Sequence, residues 1–202
     1  MIAAAIDLGD GLARIATALR VPVLVGAIVV LLLCALELGR FGVESLRRYR
    51  NRRFDLSELT ERTLAEPQNA AHYAAYAPGA FAAAALTEIA AAPGPMRARA
   101  TEHALAHYEL AVQRRLDRTR LLVRAGPALG LMGTLIPLAP GLAALADGDV
   151  SKLAENLRDA FGATVVGLLV GTVAFALTLA RTRMYTEDLT ELEQGTEEGV
   201  TR

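Results

Sequence analysis

Tryptophan is absent, aromatic residues make up 5% of the 202 residues, and cysteine occurs once. A soluble core usually draws more heavily on aromatic side chains. The single cysteine, Cys34, excludes an intramolecular disulfide framework and any cysteine-rich metal site. Within its apolar run it reads as a small hydrophobe rather than a redox centre. A surplus of one charge is also missing: 21 Lys+Arg stand against 22 Asp+Glu, a net -1. That balance argues against a general nucleic-acid binder. No G-x-x-x-x-G-K phosphate loop occurs, so nucleotide hydrolysis by this chain is not expected. No nucleophile–base arrangement suggests hydrolysis, and neither an enzyme activity nor a cofactor is expected.

Alanine is abundant, with 39 copies, and Leu, Val and Gly supply much of the remaining apolar mass. This composition favours helix over sheet. Lys152 is the one lysine among 21 basic residues, a bias that fits a GC-rich genome better than a mechanism.

Three windows hold most of the apolar residues: 21–38 (VPVLVGAIVVLLLCALEL), 125–146 (AGPALGLMGTLIPLAPGLAALA) and 160–180 (AFGATVVGLLVGTVAFALTLA). As helices they would run about 27–33 Å, the thickness of a hydrocarbon core. The first carries one charge, Glu37, near its inner end, where it is expected to snorkel to the interface. The other two carry none, which favours membrane spans over three buried helices of a soluble bundle. Residues 1–20 are too long and too acidic for the basic start of a signal peptide. They read as a short amphipathic surface helix, with Ile2, Ile6, Ile15 and Leu19 among its apolar residues.

Orientation follows from the basic residues. Segment 39–124 and tail 181–202 carry 17 of them, against 4 in 1–20 and the loop 147–159. The long segment and the tail are therefore expected in the cytoplasm, and the N-terminus and loop outside. The run RRYRNRR, Arg47 to Arg53, reads as the inner anchor of the first span rather than a nucleic-acid patch.

Segment 39–124 reads as helices broken by Pro and Gly: 55–66 before Pro67, then an Ala-rich stretch 70–92 interrupted at Pro78-Gly79, then a Pro93-Gly94-Pro95 turn. From Met96 to Arg124 neither Gly nor Pro occurs, and Leu105, Tyr108, Val112 and Leu116 form one apolar stripe. That helix is expected to run straight into the second span. After the third span, helix is expected as far as Gly195, with a frayed end. The fold class is thus an all-α membrane protein with three transmembrane helices, the second and third extended into a cytoplasmic helical bundle.

Small and slightly polar residues mark one face of each charge-free span. In the second these are Gly126, Gly130, Gly133, Thr134, Pro137 and Gly141; in the third, Thr164, Gly167, Gly171, Ala174 and Thr178. Such stripes let membrane helices approach closely. Thr134 and Thr164 serve either packing, by bonding their own helix, or a water-lined pathway. Asp159, before the third span, is either a helix-start carboxylate or a collector of cations at a pore mouth. No charge lies in mid-span, so a conducting protein would need a titratable group from a partner. The small faces suit lipid poorly, so the lone chain is expected to self-associate. His103 and His107, four apart on one helix face, are a possible metal pair, but with no third ligand evident they read as solvated and no metal is expected.

The stretch GPALGLMGTLIPLAPGLAAL, a short outer loop, and then LRDAFGATVVGLLVGTVAFAL resemble the MotA/TolQ/ExbB proton-channel family. The topology agrees. The resemblance implies a homopentameric ring in a prokaryotic inner membrane, its pore lined by the second and third spans. It implies a single-span partner of ExbD, TolR or MotB type that supplies a membrane Asp, with proton flow driving mechanical work. By motif position, Thr134 and Thr164 would be the pore threonines and Asp159 the outer acid. Pro137 stands where the ExbB and TolQ branches usually have Gly, and Pro140 follows, so a bend is expected in the second span. Two rivals remain: a non-conducting scaffold of the same fold, and a membrane subunit of an ATP-driven transporter.

Overall fold

The computed structural model describes residues 11, 14, 15, 18–92 and 96–201, with side chains to residue 199. Most of the expected surface helix 1–20, including Ile2 and Ile6, lies outside them, as does the Pro93-Gly94-Pro95 turn. Six α-helices and one 3-10 turn account for the described chain, and no strand occurs among the described residues. The helices are α1 (Arg20–Asn51), α2 (Leu56–Ala65), α3 (Ala70–Tyr76), α4 (Ala80–Ala91), α5 (Arg97–Ala146) and α6 (Val150–Thr201). The 3-10 turn, Pro67–Asn69, separates α2 from α3. The chain is all-α, and α1, α5 and α6 are each long and apolar enough to cross a membrane.

The residues fall into two compact units, Met1–Glu37 with Thr119–Ala176, and Leu38–Arg118 with Leu177–Arg202. In the first unit, Cys34, Leu122, Val170 and Ala174 form a buried cluster, flanked by Val30, Leu31, Val123, Val166 and Val173. Few residues of the spans are buried like these. Leu32 (58%), Leu135 (57%) and Phe161 (65%) are among many large apolar side chains left exposed. An apolar surface of this extent marks contact with lipid or protein.

Several boundaries differ from the sequence reading. The expected loop 147–159 shrinks to a turn, because α6 already begins at Val150. Gly148 takes the positive φ of 81° that the turn needs. The Asp149 carboxylate accepts from the Lys152 backbone N–H at 2.9 Å, capping the new helix. Its first turns pack back on α5, with Leu153 and Asn156 against Gly141. Segment 150–159 looked like a loop because it is charged, yet Lys152, Glu155, Arg158 and Asp159 all stand on an exposed face. Helix α5 runs as one helix through Pro127, Pro137 and Pro140. Glu37 is buried, at 5% exposure, rather than snorkelling outward.

The second unit builds its core from Leu56, Leu59, Ala74, Ala82, Leu86, Tyr108 and Leu192. Asp55 caps α2 through the Ser57 N–H at 2.9 Å. The Asn51 amide closes the end of α1 by donating to the Ala77 carbonyl at 3.2 Å. Helix α6 does not stop at Gly195. A Cβ there would collide with the Ser57 carbonyl and with Thr60 of α2, so this glycine is a close-packing position, not a terminator.

Candidate functional site

The small faces of α5 and α6 meet each other within the first unit. A Cβ built on Gly126 would lie 2.7 Å from the Gly167 carbonyl oxygen, and one on Gly130 would lie 3.2 Å from the Gly167 Cα. One on Gly133 would lie 2.5 Å from the Ala163 Cβ, and one on Gly171 would lie 2.7 Å from Pro127 Cγ. At 2.5–2.7 Å there is no room for a methyl, and 3.2 Å is tighter than an ordinary contact, so the glycines let the two helices approach closely. The two stripes are mated inside one chain, so the surface left for another copy is the large apolar one. The expectation of self-association therefore cannot rest on unmated small faces.

At the centre of this crossing, the Thr164 hydroxyl donates to the Gly130 carbonyl at 3.2 Å, from one span to the other. Thr134 instead bonds within its own helix, donating to the Leu131 carbonyl at 2.8 Å. The two threonines thus differ: Thr164 ties the helix pair together and Thr134 does not. A hydroxyl that donates keeps two lone pairs, so each can still accept from water. Both are half-buried.

Asp159 stands at the same end of α6 as the start of α1. Its carboxylate pairs with the Arg20 guanidinium at 3.4 Å, with both side chains about half exposed (51% and 40%). A small cleft beside the pair is lined by Val23, Leu24, Gly133, Ile136 and Pro137. Sequence reasoning singled out Asp159 but missed its partner, since Arg20 lies 139 residues away.

The sequence model of the MotA/TolQ/ExbB proton channel family matches residues 74–194, more than half of the chain. This chain belongs to the MotA/TolQ/ExbB proton channel family. It is a multi-pass membrane protein. No curated protein and no solved structure matches it.

This MotA/TolQ/ExbB member also carries a buried polar network in its second unit that the sequence did not disclose. Arg48 grips Asp188 with two bonds of 2.6 Å each. The Tyr108 hydroxyl donates to the Tyr185 carbonyl at 3.1 Å and lies 3.4 Å from the Asp188 carboxylate. The Tyr185 hydroxyl donates to Glu44 at 2.6 Å, and Glu44 lies 3.6 Å from the fully buried Arg181 guanidinium. Burial pushes the Asp188 carboxyl above its ordinary value, against the hydrogen bond and charge of Arg48, which lower it. Burial likewise raises both tyrosines, which stay neutral donors. Arg48 belongs to the run read as a lipid anchor, so that run is not purely an anchor.

The structure also changes the surroundings of the histidine pair. Glu88 of α4 reaches His107 Nδ1 at 2.9 Å, beside His103. The sequence shows no third ligand because Glu88 lies on another helix.

Proposed function

We propose that this chain is the ring-forming subunit of a proton-motive-force-driven complex in a prokaryotic inner membrane. Five copies would conduct protons together with a single-span ExbD/TolR/MotB-like partner carrying a membrane Asp. In this reading residues 39–124 and 181–202 are cytoplasmic, and residues 147–159 face outside, in keeping with the bias of 17 basic residues against 4.

The observation that carries the proposal is the hydroxyl of Thr164 at the crossing of two charge-free spans, in a chain of a proton-channel family. With no acid in mid-span, the proton acceptor belongs to the partner. Thr164 and Thr134 would hold water by accepting hydrogen bonds, without burying a fixed charge. Asp159 would collect protons at the outer mouth, with Arg20 setting how much of its charge is on offer.

The scaffold reading has one observation in its favour: both threonine hydroxyls already donate to backbone carbonyls, as purely structural ones do. Proton flux into liposomes separates the two readings. Chain and partner together are expected to conduct, and Thr164→Val is expected to lower the flux while the complex still forms. Conduction by the purified chain alone would refute the requirement for a partner. A stable complex with no flux in wild type would favour the scaffold.

A further inference from the structure

The second unit brings together two imidazoles and a carboxylate that no part of the proton pathway uses. His103 and His107 lie four residues apart on α5, on the same face, and their rings meet edge to face with centroids 4.7 Å apart. Glu88 comes from α4, and its two carboxylate oxygens lie 2.9 and 3.2 Å from His107 Nδ1. One ligand atom from each of the three residues falls within 4.8 Å of the other two.

The backbone beneath this cluster is held firmly. Glu88 is followed by Ile89, fully buried, and His103 by Ala104, 1% exposed; these two pack together with Leu64. His107 is followed by Tyr108, which shares the main core of the unit with Ala85 and Leu86 of α4. Each ligand is thus the immediate neighbour of a buried residue that fixes α4 against α5. Supporting ligands on packed helices is what gives a metal site its geometry. The side chains themselves are open to solvent, with His107 55% and Glu88 38% exposed, which leaves an entry path.

We propose that Glu88, His103 and His107 bind one divalent transition-metal ion of the Zn2+ type. Imidazole and carboxylate donors suit Zn2+, whereas Ca2+ and Mg2+ prefer oxygen ligands alone. Three protein ligands with a water completing a tetrahedron is a common zinc arrangement. The ion replaces the contact between His107 and Glu88 and clips α4 to α5 across the short connection between them. This site is separate from the proton pathway and does not depend on it.

The test uses the tag-free 202-residue chain in mild detergent, stripped with a chelator and titrated with Zn2+ by calorimetry. Co2+ serves as a spectroscopic probe. One ion per chain is expected, with micromolar or tighter affinity, an absorption band of four-coordinate Co2+, and a Zn2+-dependent rise in Tm. His103→Ala and His107→Ala should each weaken binding by about 100-fold or more, and Glu88→Gln by about 10-fold or more. His72→Ala, on α3, should change nothing. His103→Asn serves as a second variant if an alanine variant folds poorly. No saturable binding, or stoichiometric binding that survives both histidine variants, would overturn the proposal.

Discussion

Gly167→Ala offers a sharp test of how the second and third spans are joined. The added methyl would lie 2.5 Å from the Gly126 carbonyl oxygen and 2.7 Å from the Gly130 Cα. Carbon contacts need about 3.5–4.0 Å, so α5 and α6 must part by about 1 Å. That separation would also stretch the Thr164–Gly130 hydrogen bond, now 3.2 Å, beyond useful range. Overpacking costs about 1–3 kcal/mol, and an interhelical hydrogen bond in a membrane is worth about 0.6 kcal/mol. Alanine's higher helix propensity returns up to about 1 kcal/mol, which leaves a net loss of about 1–3 kcal/mol. Gly162→Ala is the matched control, since a Cβ there meets nothing within 4 Å. The propensity gain is common to both variants and cancels between them. Gly167→Ala should therefore be less stable than Gly162→Ala by about 2–4 kcal/mol, the sum of overpacking and the lost bond. Unfolding of the detergent-solubilised chain by a denaturing detergent, followed by circular dichroism, gives the comparison. Equal stability of the two variants would refute the close approach of α5 and α6.

Three further outcomes are expected. Arg48→Met should cost about 3–5 kcal/mol, because it strands the buried Asp188 carboxylate, and Asp188→Leu less, because Arg48 is 23% exposed, whereas the double variant should recover most of the larger loss; additive losses in chemical denaturation would rule out a coupled pair. Burial raises the carboxyls of Asp188 and Glu191, so between the unfolded value of about 4 and the raised folded value the native chain holds protons that the unfolded chain has lost. The resulting stability is present at low pH and is lost as pH rises through the folded pKa. Relative to an Asp188→Asn/Glu191→Gln variant, the wild type should therefore lose stability on going from pH 4 towards neutrality; a difference that does not vary with pH would contradict this. Asp159→Asn should change stability by less than about 1 kcal/mol, since its pairing with Arg20 is exposed and screened; a Tm that holds while proton flux falls would tie Asp159 to conduction, and a collapsed Tm would tie it to folding.

How much could be read in advance differed by the kind of signal. The three long apolar helices were legible because hydropathy is a property of consecutive residues. So were the breaks at Pro67 and Pro78-Gly79, which fall between α2, α3 and α4. Gly195 misled because the same residue type ends helices and lets helices touch, and only the position of α2 beside it decides between the two. The charged start of α6 misled for a related reason, since charge marks exposure but not the absence of helix.

By itself, then, the sequence determined the all-helical class, the three apolar helices and the family. Each of these depends on local composition, periodicity or a contiguous motif. Only the tertiary structure decided which faces meet: Gly130 on Gly167, Arg48 on Asp188, Glu88 on His107. Periodicity tells which residues share a face of a helix. The partner of that face is chosen by packing between segments far apart in the chain, and no local pattern encodes that choice.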